Sequence, residues 1–149
     1  MLNPLNLSGS VIFTQWSGEY GLEQFIKDKT GCKPYSGAGI NYRGENKTTI
    51  LKSVDDTYYY NDDMSDIKYP KYTLFGHEGN QDESEKRFNE PLLNPEKTDN
   101  IYLYRVVFNQ KQKYYIWYGK YKIVGKEIQE HIDINYQNRD IVVLNLERV

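Results

Sequence analysis

Residues 101–124 read IYLYRVVFNQKQKYYIWYGKYKIV, and this stretch decides the fold class. Aromatic and β-branched side chains dominate both halves, from Ile101 to Phe108 and from Lys113 to Val124. Between them lies the polar run Asn109-Gln110-Lys111-Gln112. Two such runs around a short polar break predict a pair of strands joined by a turn. Ile141 to Leu144 predicts another strand near the end of the chain.

Working outward, Val11, Ile12 and Phe13 within Ser10 to Thr14 predict a short first strand. From Glu19 to Lys29, Leu22, Phe25 and Ile26 fall at helical spacing. That segment opens on an acid, closes on Lys27 and Lys29 and stops at Gly31, which predicts a helix with a core-facing stripe. Residues 34–39 form a turn-rich lead into a polar segment with Arg43 and Lys47. Thr48 to Val54 reads as a strand, with weaker strand signals over Thr57 to Tyr60 and Tyr69 to Phe75. Residues 76–100, with Gly76, Gly79, Pro91, Pro95 and many polar side chains, read as a long polar connection. The order of elements predicts one β-rich α+β domain over residues 1–149, a curved sheet or pseudo-barrel with one or two helices.

Composition narrows the function. The chain has 149 residues, 38% of them hydrophobic, enough for one core if its 15 tyrosines contribute. The single cysteine, Cys32, forms no internal disulfide and reads as a structural thiol. No N-terminal apolar run resembles a signal peptide or could span a bilayer, so a cytoplasmic location is expected. The net charge of −2 argues against a generally basic nucleic-acid binder. The charges are unevenly spread, however. Arg105, Lys111, Lys113, Lys120, Lys122 and Lys126 occur with no acid between Ile101 and Lys126, whereas residues 55–66 hold five aspartates and no base. Such asymmetry permits a local basic face on an acidic protein; solvated strand lysines are the plainer reading.

Metal chemistry is poorly supported, because His77 and His131 are the only histidines and Cys32 is the only thiol. Neither Gly37-Ala38-Gly39 nor the Gly76 and Gly79 pair has the spacing of a phosphate-binding fingerprint. Glu45-Asn46-Lys47 is an E-x-K triplet that could hold a divalent ion in a small nuclease, with Asp28 as an upstream acid. Lys47 more simply contacts a phosphate or solvent. The stretch Tyr60-Asn61-Asp62-Asp63, followed after eight residues by Tyr72-Thr73, combines two aromatic faces with an acceptor-only carboxylate. Those are the parts needed to hold one flat polar ring, and a flipped nucleobase is such a ring. Ordinary packing of tyrosines on a strand is the competing reading.

In these residues the chain resembles the SET-and-RING-associated (SRA, or YDG) domain family, PUA-like folds that read modified cytosine in DNA. Gly39-Ile40 with Arg43 is similar to the family's G-I-x-x-R, and Thr49-Ile50-Leu51-Lys52-Ser53 to its S-I-V-L-S strand. Tyr60-Asn61-Asp62-Asp63 is similar to Y-x-D-D, and Tyr72-Thr73 to the start of Y-T-G-x-G-G. Asn89-Glu90-Pro91-Leu92 follows an N-x-x-L pattern, Arg105-Val106-Val107 an R-V-I strand, and Gly119 to Val124 a G-x-Y-K-V-V strand. The resemblance covers residues 39–124. It implies that Tyr60 and Tyr72 sandwich a flipped base, that Asp63 accepts from the cytosine amino group and that Thr73 lines the pocket. Phosphate contacts would fall to Arg43, Lys47, Lys120 and Lys122. Leu74 stands where the family has glycine, and Phe75 and His77 also break its glycine run. A bulkier loop is expected, with Phe75 a second candidate for the stacking face. The resemblance further implies a recognition domain without catalytic site, metal or cofactor. Its partner would be duplex DNA carrying 5-methylcytosine or a relative. Its setting would be a modification-dependent restriction system, as a domain of a larger protein with a nuclease or NTPase domain or subunit. A metal-dependent nuclease using Glu45 and Lys47, and a PUA-like RNA-binding module, are the alternatives.

Overall fold

In the computed structural model, residues 8–34, 39–55, 57–81 and 86–149 are described. Most of the turn expected over residues 34–39, including Gly37-Ala38, lies outside them, as do Asp56 and part of the polar connection.

The strand pair expected over residues 101–124 is an antiparallel hairpin. β5 (Asn100–Asn109) pairs with β6 (Gln112–Ile132), from Ile101 opposite Tyr121 to Asn109 opposite Gln112. Its two-residue loop, Gln110 and Lys111, has φ of 51° and 67°. Positive φ at both positions matches the loop twist to that of the strands. A bulge separates the pairs Leu103–Gly119 and Tyr104–Trp117, leaving Tyr118 as the extra residue. Gly119 absorbs the kink at φ 111°. The bulge shifts the alternation by one residue. Ile116 and Tyr118 before it and Tyr121 after it therefore pack in the same core cluster.

β6 runs eight residues beyond the expected Val124, because its second half pairs with β7 (Asn138–Arg148). The path through the sheet is β2 (Ile40–Arg43), β3 (Thr48–Val54), β5, β6, β7, β4 (Lys71–Thr73), and β1 (Val11–Phe13) pairs with β6. Among the described residues only β3 and β5 run parallel. Among the described residues β2 and β4 do not pair with each other, so the sheet is open and the pseudo-barrel alternative is not realised.

Both faces of the sheet are covered. On one face Leu51, Leu74, Leu103, Ile116 and Leu144 are at most 1% exposed. On the other, α1 (Leu22–Thr30) sets Leu22 and Ile26 against Ile50, Tyr104 and Trp117. The i, i+4 spacing of Leu22 and Ile26 aligns them on one stripe, and each contributes about 1.5–3 kcal/mol by burial. The helix begins three residues later than expected and ends on Gly31, which is left-handed at φ 74° and donates to Lys27 O at 2.9 Å. Cys32 is buried beside it and accepts from Asn46 Nδ2 at 3.0 Å.

Four local expectations fail. Residues 57–60 are turns and not a strand, and the 69–75 strand shrinks to β4. The polar connection contains a second helix, α2 (Lys86–Leu93), with Pro91 inside it. β2 occupies part of the segment taken for polar loop. No helix among the described residues is long and apolar enough to cross a membrane.

Candidate functional site

A cavity of about 220 Å³ lies where the two ends of the open sheet approach each other. Gly39 and Ile40 line it from the β2 side, Lys52 and Val54 from β3, and Tyr72 and Thr73 from β4. Thr57, Tyr59, Tyr60, Asp62, Phe75 and His77 complete it from the loops. The gap is tied by a side chain and not by backbone pairing. Tyr72 Oη donates toward Gly39 O at 3.0 Å and Lys52 O at 3.3 Å.

Tyr60, Tyr72, Thr73 and Phe75, expected as base-pocket residues, are brought together here. Asp63 is not. Its backbone bridges Lys71, with Asp63 N to Lys71 O at 2.9 Å and Lys71 N to Asp63 O at 2.8 Å. Neighbouring residues in extended backbone point to opposite sides. The carboxylate of Asp63 therefore turns outward, accepting from Ser65 N at 3.1 Å and Ser65 Oγ at 2.6 Å. These bonds hold its carboxyl below the ordinary value. It lines an adjoining depression with Asp55, Ser65 and Arg105, which shares Val54, Thr57, Tyr60 and Asp62 with the cavity.

Asp62 takes the inward position. Its Oδ2 accepts from Ser53 Oγ at 2.7 Å and its Oδ1 from Thr73 N at 2.7 Å. Ser53 and Thr73 are 2% and 3% exposed, so the carboxyl is held between buried donors. Burial pushes it above its ordinary value, against the pull of those two hydrogen bonds. Burial also raises the phenols of Tyr60 and, further, Tyr72, keeping both rings uncharged. Thr73 Oγ1 accepts from Asn61 N at 2.9 Å, which fixes the Tyr60 loop against β4.

Buried polar side chains hold the opposite wall. Asn89 on α2 accepts from Phe75 N at 2.8 Å and donates to Phe75 O at 3.0 Å, clamping that residue as a strand partner would. Gln81 donates to Leu74 O and Gly76 O at 2.7 and 2.6 Å, and Arg139 donates to Gly76 O at 2.7 Å and Tyr59 O at 2.5 Å. Leu74, expected to bulk out the loop, is fully buried in the core and donates its N–H to Val142 O, so Phe75 and His77 supply the bulk at the cavity. Tyr59, His77 and Asp62 line the cavity without having been singled out. On a strand, Tyr59 would face the side opposite Tyr60; because residues 57–60 turn, the two meet edge to face at 4.8 Å and share the cavity.

The expected phosphate contacts do not line this cavity. Lys47 is exposed in a left-handed conformation just before β3, five residues from Lys52, or about 17 Å along an extended strand. Arg43 donates through Nε to Lys33 O at 3.1 Å. Lys122 pairs with Glu147 at 3.3 Å, and Lys120 is half-buried on β6. Of the nuclease residues, Glu45 sits in an exposed 3-10 turn and Asp28 accepts from Gln24 at 2.9 Å on α1. Among the described residues, no group of three or more His, Cys, Asp or Glu is placed to hold a metal ion.

No family model matches the sequence, and no curated protein matches it. Solved structures do. The DNA modification-dependent restriction endonuclease AspBHI aligns with TM-score 0.62 and 12% identity, over 93% of this chain and 41% of that one. The sulfur-binding and SRA domains of ScoMcrA, complexed with phosphorothioated DNA, align with TM-score 0.55 and 17% identity over 83% of this chain and 36% of theirs. KRYPTONITE in complex with mCHG DNA and SAH gives TM-score 0.55 and 13% identity, over 94% of this chain and 32% of its own. The chain thus spans less than half the length of each. At such identities the likeness is one of architecture, and its sense is plain: the chain has an SRA-type fold.

Proposed function

We propose that this chain is a recognition module that binds duplex DNA containing a modified cytosine and holds the flipped base in the cavity between β2 and β4. The observation that carries the reading is the cavity itself: uncharged aromatic walls at Tyr60, Tyr72 and Phe75 around a carboxyl, Asp62, fixed by two donors. Extruding a base costs a few kcal/mol, and stacking at about 1–3 kcal/mol per base with hydrogen bonds to the base edge offsets it. In this reading Tyr60 stacks on one side of the base, with Tyr72 or Phe75 opposite. Asp62, in place of the expected Asp63, faces the cytosine amino group, and Thr73 orients it. Arg43, Lys47, Lys120 and Lys122 contact phosphates and set register without reading sequence. The proposal includes the wider setting: 5-methylcytosine or a close relative as the mark, a restriction system in the cytoplasm, and cleavage performed by a nuclease or NTPase partner. The fold shared with a modification-dependent endonuclease and with a protein bound to mCHG DNA supports it.

The test compares affinities for one duplex sequence carrying cytosine, 5-methylcytosine or 5-hydroxymethylcytosine at moderate salt. Tighter binding of a modified duplex is expected. Equal affinity for all three refutes the reading, Mg²⁺-dependent cleavage lost in Glu45→Ala replaces it with a nuclease, and a preference for RNA replaces it with an RNA-binding module.

A further inference from the structure

On the α1 side of the sheet a second cavity, of about 120 Å³, is lined by Trp16, Lys52, Tyr104, Lys113 and Tyr115. Strand register assembles it. Lys52 on β3 stands beside Tyr104 on β5, and Val106, two residues along β5, stands opposite Tyr115 on β6. The Trp16 ring packs over both tyrosines, with centroids 5.6 Å from each, and Lys113 Nζ lies 5.3 Å from the Tyr115 centroid. The indole N–H of Trp16 is already committed to Glu23 Oε2 at 3.2 Å.

Two independent features mark this cavity as a ligand site. Tyr104 is 1% exposed, and its buried hydroxyl has no hydrogen-bond partner among the described residues. Buried polar groups are normally paired, because an unpaired one carries its full desolvation cost. The second feature is charge. Lys52 and Lys113 both line the cavity, no carboxylate among the described residues does, and burial together with the charge of Lys113 holds the Lys52 amine below its ordinary value. Two ammonium groups and a phenol are a set of donors with net positive charge, which suits an oxyanion.

We propose that this cavity binds a phosphate group, donated to by Lys52, Lys113 and the Tyr104 hydroxyl. It is separate from the base cavity, and the two meet at Lys52, whose carbonyl accepts from Tyr72. A nucleic-acid backbone and free phosphate offer the same chemistry.

The test titrates inorganic phosphate into the full chain at low ionic strength, against chloride at matched ionic strength, following the Trp16 indole ¹H–¹⁵N signal. A saturable shift with phosphate is expected, weakened about tenfold or more in Lys113→Met and in Tyr104→Phe, the loss of one charge-assisted hydrogen bond. Tyr104→Phe should fold at least as stably as the parent, since it removes an unpaired hydroxyl, so its binding defect is not one of folding. A phosphate response no larger than that of chloride overturns the proposal, as does unchanged phosphate binding in both variants. Unmodified duplex DNA then separates the sources. If it moves the Trp16 signal and Lys113→Met lowers the salt slope by about one, the ligand is backbone phosphate. If only inorganic phosphate moves it, the site takes a free phosphate.

Discussion

Replacing Asp62 by asparagine separates the two adjacent carboxylates. The parent carboxyl receives Ser53 Oγ and Thr73 N, both at 2.7 Å. Asparagine keeps one acceptor for the Thr73 N–H, and its amide can donate to the Ser53 hydroxyl, which rotates to accept. The frame is thus conserved at a cost of about 1 kcal/mol or less. Toward a bound base the change is larger, because a charged acceptor is lost from the amino edge. A hydrogen bond to a charged group is worth about 1.5–3 kcal/mol, so affinity for the modified duplex, whose base is flipped, should fall about ten- to 150-fold, and the preference over an unmodified duplex bound without flipping falls with it. Asp63→Asn alters an exposed carboxylate engaged with Ser65 and should change that preference by less than about threefold. Fluorescence anisotropy with labelled duplexes differing only in the mark supplies the ratio. An unchanged ratio in Asp62→Asn with a collapse in Asp63→Asn refutes the assignment of the inward carboxyl, and no change in either refutes the carboxylate reading altogether.

The same pair should show opposite pH dependence in urea unfolding. Asp62 is raised above 3.8 by burial, so the native state holds its proton more tightly than the unfolded chain; its contribution is lost as pH rises from 3.8 through the native value, and Asp62→Asn should gain on the parent over that window. Asp63 is lowered by its Ser65 bonds, so its contribution is present above 3.8 and lost as pH falls through its native value, where Asp63→Asn should converge on the parent. Leu74→Ala should cost about 2–5 kcal/mol of stability, read from the urea midpoint, because the side chain is fully buried in the core. Its folded fraction should keep the parent's duplex preference. Gly31→Ala should cost about 1–2 kcal/mol through its left-handed φ of 74° alone, since the added carbon would meet nothing nearer than Asn46 Nδ2 at 4.0 Å; an unchanged midpoint contradicts that account.

Local pattern was enough for elements whose stability is local or whose faces alternate cleanly. The β5–β6 hairpin, β3, and α1 with its Gly31 stop belong here, whereas the grouping of Tyr60, Tyr72, Thr73 and Phe75 into one neighbourhood rested on the resemblance to SRA domains. The helix α2 escaped notice because it is short, polar and contains Pro91; Asn89, clamped on Phe75, and Leu92, buried in the core, tie it to the rest. The second half of β6 has polar side chains on both faces, and pairing with β7 supplies its order.

The basic run after Ile101 looked like one surface in the sequence. Folding disperses it: Arg105 meets Asp55 at 2.7 Å, Lys122 meets Glu147, and Lys113 joins Lys52 at the second cavity. The acid pair shows the same division most sharply. Residue order alone places two acids, Asp62 and Asp63, between Tyr60 and Met64. Which of them faces inward follows from the bridge between Asp63 and Lys71, a contact across eight residues, and from the turn that replaces a strand at residues 57–60. Periodicity is a local property of the chain, and composition therefore reveals which residue types a wall or a pocket can use. The phase of that periodicity is reset by each bulge, turn and long-range pairing, so the side of the sheet on which a given carboxylate or amine ends is a property of the assembled fold.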